Sequence, residues 1–213
     1  MKVELVAITK PTVADMPPGV FVAYAARVSN PTNQHNHETS PKLLKYLQQH
    51  KHWSPFEMAH AVLKIETTRD IARQILRHRS FSFQEFSQRY AKVDNFELSR
   101  ARRQDTKNRQ NSIDDLDVSL QRDWTANQQA VIAHAQEVYE QALAAGVAKE
   151  CARKVLPEGL TISTLFMAGT FRSWLHYLEQ RCDESTQLEH REVAIAVRDV
   201  LAHHVPEVFG HEE

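Results

Sequence analysis

Glycine is scarce in this sequence: five residues in 213, too scattered to build a G-x-G-x-x-G turn or a phosphate-binding P-loop. A nucleotide ligand would have to be gripped by side chains and ordinary loops. Cysteine is rarer still. Cys151 and Cys182 are the only two, with no C-x-x-C pair, which argues against a disulfide framework and a cysteine-rich zinc site. No apolar run approaches the roughly 20 residues of a membrane span. The N-terminal MKVELVAITK lacks the charged-then-apolar-then-small order of a signal peptide, so the cytoplasm is the expected address. Internal repeats and linkers are also missing, and the length suits one domain over 1–213.

The net charge of −1 conceals an uneven distribution. Residues 69–109 hold eleven Lys/Arg against five Asp/Glu, so that segment is about +6 and the remainder about −7. Local positive charge in a nearly neutral protein points to an anionic ligand held at one place; a solvated basic face with partners elsewhere is the plainer alternative.

Alternation and spacing outline the elements. Residues 2–9 read as a short strand, 11–19 as a loop marked by Pro11, Pro17, Pro18 and Gly19, and 21–29 as a short helix. Ser40–Pro41 opens a helix with Leu43, Leu44 and Leu47 as its stripe. Residues 61–68 alternate as a half-buried, antiparallel strand. A helix over Asp70–His78 would bury Ile71, Ala72, Ile75 and Leu76. Residues 91–117 are almost wholly polar and read as a loop or lid. A long helix over 118–145 places Trp124, Val131, Ala135, Val138 and Ala142 at three- and four-residue spacing, and Gly146 stops it. A short helix ends near Pro157, Leu160–Ala168 is apolar but of ambiguous type, and helices over 171–181 and 187–204 follow. The expected class is α/β (α+β): a mostly antiparallel or mixed sheet flanked by helices.

Chemistry concentrates in RQILRHRSFSFQEFSQRY, residues 73–90. If the helix reaches Arg77, Gln74 and Arg77 share a face. Glu85, Ser87 and Arg89 alternate, so in extended chain they would project to one side. Such a cluster can hold phosphate through guanidinium forks, hydroxyls and backbone N–H groups, with Glu85 as an acceptor. The plainer reading is a helix end neutralised by acidic neighbours, with the phenylalanines in the core.

The order Arg77-His78-Arg79, seven residues, Ser87, then Arg89-Tyr90 resembles the signature of the flavin-dependent thymidylate synthases, the ThyX family. AARVS at 25–29, HKHWSPFEM at 50–58, CARKVLP at 151–157 and FRSWLHYLEQR at 171–181 are similar to further segments of that family, in the same order. The resemblance implies a ThyX-like fold and a homotetramer whose sites are shared between subunits. It implies reductive methylation of dUMP to dTMP, with FAD bound, NADPH as reductant and 5,10-methylenetetrahydrofolate as carbon donor. His52, Ser54 and Glu57 would stand near the flavin. Arg77, His78 and Arg79 would contact FAD, Arg77 reaching the nucleotide as well. Gln74, Glu85, Phe86, Ser87, Gln88 and Arg89 would surround dUMP, Glu85 being shared with the flavin, and Arg153 would bind dUMP too. Thr170, Phe171, Arg172 and His176 would hold FAD, and Arg181 would face the uracil ring as the catalytic residue. Gln84 and Thr170 depart from the family pattern, where Asn is common.

Arg172 and His176 are four apart on one helical face, and Arg181 lies about 900° of rotation beyond Arg172, on the opposite side. One helix presenting groups in opposite directions is either wedged between ligands or shared between sites. Neither cysteine sits among activating basic groups, and Ser87 has no His–Asp relay, so no protein nucleophile is expected. Two other classes compete with this reading. An RNA-binding module would stack bases on Phe81, Phe83 and Phe86, but the near-zero charge and the helices oppose it. A metal-dependent phosphohydrolase would draw on twelve histidines, yet His35, His37, His203 and His204 lack ligand spacing with carboxylate support. No metal, nucleic acid or membrane partner is expected.

Overall fold

In the computed structural model, residues 1–210 are described. The chain opens with β1 (Lys2–Ile8), then α1 (Pro18–Ala26) and α2 (Ser40–Gln49). The loop expected over 11–19 is shorter than its prolines suggested. Pro18 takes the first helical position, where its missing N–H costs nothing and its φ is already helical. Arg27, at the end of α1, is buried and donates from Nη2 to Thr39 Oγ1 at 2.8 Å, tying down the polar connection that leads to α2.

β2 (His60–Thr68) alternates as expected: Ala61, Leu63, Ile65 and Thr67 are buried, and Lys64 and Glu66 pair on the other face at 2.8 Å. α3 (Arg69–Ile75) and β3 (Ser82–Glu85) follow, then a two-stranded hairpin of β4 (Arg103–Gln104) and β5 (Ser112–Ile113). α4 (Val118–Ala144), capped by the Asp117 carboxylate, leads through short α5 (Lys149–Ala152) to β6 (Ile162–Thr170). The ambiguous apolar stretch is therefore a strand. α6 (Phe171–Arg181), α7 (Leu188–His204) and α8 (Pro206–Phe209) complete the described chain.

The main sheet has the order β1-β2-β6-β3, every pairing antiparallel. Leu63 sits opposite Met167 and Ile65 opposite Leu165, all four fully buried, so direct cross-strand pairs form the inner face. Trp174 and Tyr177 of α6 and Val193, Ala194 and Val197 of α7 join that core, which spans the sheet and the C-terminal helices. Trp174 also donates its indole N–H to Ala61 O at 3.2 Å, satisfying the one polar atom it buries. The ends of β6 and α6 are joined without a loop: Thr170 caps α6 by accepting Ser173 N–H at 3.1 Å.

α4 departs from its expected packing. Trp124 and Val131 are 43% and 50% exposed; of the expected stripe Ala135 is buried, and Gln128 and Tyr139 join it. Amides do the docking. Gln128 bonds both backbone groups of Ser99, at 2.8 and 2.9 Å, and Gln121 bonds both of Ala101, at 2.6 and 3.1 Å. A helix that backs an irregular segment must satisfy that segment's free backbone groups, a task that apolar side chains cannot do.

Candidate active site

α3 ends at Ile75, not at His78 as expected. Beyond it Arg77 N–H bonds Gln74 O at 3.3 Å and His78 N–H bonds Ile75 O at 3.0 Å, three-residue steps that tighten the last turn. Arg77, His78 and Arg79 thus lie on a turn past the helix. Phe81 anchors that turn: its ring meets Trp174 at 4.7 Å and lies against Gly169, where a Cβ would stand 2.4 Å from the ring. Only glycine lets the ring approach the strand so closely.

Three separate clusters collect the residues assigned by resemblance. In the first, Arg181 Nε donates to His78 Nε2 at 2.9 Å. Burial, then the charges of Arg181 and Arg77, push the His78 pKa down to about 4, so the ring is neutral at pH 7. Accepting at Nε2 while neutral, His78 carries its proton on Nδ1. Gln74 lies nearby on α3, its amide bonded to Gln187 and to buried His190. Arg77 and Arg79 are exposed, and among the described residues neither pairs with a carboxylate.

The second cluster sits at the other end of α6. Arg172 binds Glu57 at 2.5 Å, and His176 stands edge-on to Trp53 at 4.8 Å. Glu57 and Trp53 belong to the 3₁₀ turn at 54–57 and its cap, beside exposed His52 and Ser54. α6 thus sends Arg172 and His176 to the turn at 53–57 and Arg181 to His78, as the 900° count required. Thr170 and Phe171 offer less than the resemblance assigned them. The Thr170 hydroxyl is occupied by its cap, and Phe171 is fully buried against Phe209 at 5.3 Å. Any contact from Phe171 to a ligand is through backbone.

The third cluster surrounds the end of β3. Glu85 follows Phe83 on the inner face and accepts from Ser163 Oγ at 2.8 Å and from Arg69 at 3.3 Å. The extended run expected through Arg89 stops here. Tyr90 and Ala91 N–H groups both turn back to Ser87 O, so Ser87 and Arg89 occupy a turn and do not alternate with Glu85. Phe86 is 37% exposed, and Arg89 pairs with Glu150 at 3.2 Å on the surface. Gln88 is buried at 4% exposure, and its Nε2 has no hydrogen-bond partner. It opens on a cavity of about 220 Å³ lined by Arg69, Arg73, Arg153, Lys154 and Glu158. Among the described residues Arg153 and Lys154 have no carboxylate partner, whereas Arg73 is paired with Glu158.

Gln74, Arg77 and Arg181 do not line this cavity. A second cavity, of about 700 Å³, contains none of the residues assigned by resemblance; it lies between the 97–102 segment, α4 and the start of α7. Several partners escaped sequence reasoning: Trp53, Arg69, Lys154, Ser163, Gln187 and His190. Trp53 and Lys154 stand inside motifs already singled out. The others are distant in sequence and carried no local signal.

The helix-flanked antiparallel sheet, the cationic cavity and the His78–Arg181 pair suit an enzyme that handles a nucleotide, in a chain without a glycine-rich turn. The chain belongs to the family of the flavin-dependent thymidylate synthases: the family model described as thymidylate synthase complementing protein matches residues 13–207. A flavin-dependent thymidylate synthase from Synechocystis is 49% identical over 212 residues, covering 98% of this chain and 97% of that one. A probable flavin-dependent thymidylate synthase of Paramecium bursaria Chlorella virus 1 is 47% identical over 210 residues, with coverage of 98% and 97%. Among solved structures, a UMP/dUMP methylase, PolB from Streptomyces cacaoi, bound with 5-Br dUMP, superimposes with a TM-score of 0.82. Its identity is 26%, covering 98% of this chain and 92% of that one. No helix of the described residues is long and apolar enough to cross a membrane.

Proposed function

We propose that this chain makes dTMP from dUMP, adding a methyl group at C5 of uracil with FAD bound. The carbon donor is 5,10-methylenetetrahydrofolate and the reductant NADPH. The carrying observation is the cavity at Gln88: Arg153 and Lys154, neither paired with a carboxylate among the described residues, line it with Arg69 and Arg73, and Gln88 in the same wall holds a buried amide nitrogen without a partner. An unsatisfied buried N–H costs about 1–3 kcal/mol, which a bound anion would recover. Such a cost is retained where a ligand relieves it. The relatives named above support uracil nucleotides as the substrate class.

Arg153 and Gln88 would take the phosphate, with Ser87 and Arg89 on the adjoining turn. Gln74, Arg77 and Arg181 would take the rest of the nucleotide, together with Glu85 and Phe86. The two groups do not share a cavity within one chain. The complete site would therefore be built from two copies or more, in a homotetramer. The exposed Trp124 and Val131 of α4 leave apolar surface for such contacts.

The residues assigned to the flavin fit an anionic, planar group. Arg77 and Arg79 are exposed guanidinium groups without carboxylate partners, suited to a diphosphate, and Trp53 and His176 offer aromatic edges. His52, Ser54, Glu57, His78 and Arg172 would complete its surroundings. When bound, FAD supplies the hydride that completes the methyl group.

Arg181 carries the chemistry that the chain itself provides. Its Nε is fixed by neutral His78, and among the described residues its two Nη groups donate to no protein acceptor. Those groups would meet the uracil carbonyl and N3, stabilising negative charge as the ring attacks from C5. Neutral His78 keeps the positive charge on Arg181 alone. Cysteine is not needed: burial pushes the Cys182 thiol up, away from thiolate formation.

The test is dUMP-dependent NADPH oxidation with the flavin absorbance followed, with and without methylenetetrahydrofolate. Reduction that depends on dUMP, and dTMP formed only with folate, is expected. A flavin-loaded protein that makes no dTMP under these conditions would overturn the proposal.

A further inference from the structure

Gln74 is held at both edges of its amide by residues far away in sequence. Its Nε2 donates to Gln187 Oε1 at 2.8 Å, and its Oε1 faces His190 Nδ1 at 3.2 Å. Gln187 in turn donates from Nε2 to Glu189 Oε2 at 3.0 Å. Glu189 is gripped by both terminal nitrogens of Arg102, at 2.6 and 2.9 Å. Arg102 belongs to the polar 91–117 segment and also donates from Nε to Ser112 at 2.8 Å.

Each link dictates the orientation of the next. Burial opposes the charge on Glu189, but the hydrogen bonds led by Arg102 outweigh it and hold the carboxyl below its usual range. An ionised carboxylate only accepts, so Gln187 must turn its NH₂ towards Glu189 and its oxygen towards Gln74. Gln74 must then offer NH₂ to Gln187 and its oxygen to His190. His190 must therefore bear its proton on Nδ1, which leaves Nε2 a bare lone pair when the ring is neutral. That nitrogen is buried and has no partner among the described residues, and the whole side chain is at 0% exposure.

We propose that Arg102, Glu189, Gln187 and His190 form a positioning relay that sets the Gln74 amide for the nucleotide, so that the 91–117 segment tunes dUMP affinity from outside the site. The proposal rests on the assignment of Gln74 to dUMP. Without Arg102, the Glu189 carboxylate loses the two contacts that fix its place, so its hold on Gln187 loosens and Gln74 is free to flip. A flipped Gln74 would present an NH₂ to His190 Nδ1–H, donor against donor. Three members of the relay, Arg102, Gln187 and Glu189, also form part of the wall of the 700 Å³ cavity, so the relay runs from that chamber to α3.

The test uses FAD-loaded enzyme with the variants Arg102→Ala, His190→Leu, His190→Asn and Gln74→Leu. Steady-state NADPH oxidation gives KM for dUMP and kcat, and titration of the flavin absorbance with dUMP gives Kd. Loss of a fixed hydrogen bond to the positioned amide should raise KM and Kd for dUMP about tenfold in Arg102→Ala and His190→Leu. Flavin content and kcat should stay within about twofold, the mark of lost binding rather than lost chemistry. Asn places its NH₂ near the position of His Nδ1–H, so His190→Asn should recover most of the affinity. A double variant should lose less than the product of the singles, since both break one chain. Equal KM values for His190→Leu and His190→Asn, or an unchanged KM in Arg102→Ala, would overturn the relay. Arg102→Ala carries the test alone if His190→Leu fails to fold. If Gln74→Leu raises KM while the relay variants do not, the relay alone fails. If Gln74→Leu leaves KM unchanged, the assignment of Gln74 to dUMP fails and takes the relay with it.

Discussion

Acidification from pH 7 to 5.5 should weaken this enzyme through buried His190 and half-buried His78, and deleting His190 should remove the larger share of that histidine contribution. His78 is pushed down to about 4 by burial, then Arg181 and Arg77; His190 is pushed down to about 3 by burial, then Arg181 and His78. Both begin from 6.5 in the unfolded chain. Between pH 6.5 and 4 the unfolded state therefore binds more protons than the folded one, and stability rises with pH. Their contribution is complete above 6.5 and is lost as the pH falls. At pH 5.5 both rings are still neutral in the folded enzyme, so the loss depends only on protonation of the unfolded chain. It amounts to about 1.3 kcal/mol for buried His190 and to less for half-buried His78, whose shift solvent screens. Urea unfolding of FAD-saturated enzyme and of His190→Leu, at one fixed chain concentration and at both pH values, measures it. The drop should be smaller in the variant by about 1.3 kcal/mol. The comparison between two proteins cancels carboxylates and the remaining histidines. An identical drop in both would refute the burial of a neutral His190.

Gly169→Ala would thrust a methyl group into the Phe81 ring, which Trp174 blocks from retreating, and should cost about 1–3 kcal/mol in unfolding free energy while disturbing the 77–79 turn. Gln88→Leu should move stability and function in opposite directions. Removing the unpartnered donor should raise the Tm of ligand-free protein, whereas KM for dUMP should rise about tenfold. Arg181→Ala should retain flavin, seen in its absorbance, yet lower dTMP formation by a factor of about 10²–10³ or more; near-normal turnover would refute the electrostatic role.

Much of the fold was legible in order and type. Strict alternation over 61–68 announced a strand buried on one side, and the observed partners on both flanks are antiparallel. α2 starts where expected, and α4, α6 and α7 lie within a residue or so of their expected limits, because capping and breaking residues act locally. Misreadings occurred where a local rule was overruled. The spacing of Trp124 and Val131 implied a core stripe, yet α4 docks through Gln121 and Gln128. The 73–78 run kept a helical pattern to His78, but Phe81 packing on Gly169 pulls the chain into a turn after Ile75.

The motifs alone identified which residue types would meet an anionic nucleotide and which family they resemble, since an ordered set of arginines, amides and a carboxylate is written in one dimension. Charge state and orientation are not. That His78 is neutral follows from burial beside Arg181, 103 positions away in the chain. That Gln74 is clamped on both edges follows from α7 packing across α3, and that Gln88 lacks a partner follows from the turn after β3. Desolvation, close approach and hydrogen-bond orientation all depend on distances between remote segments, and only the folded chain sets those distances.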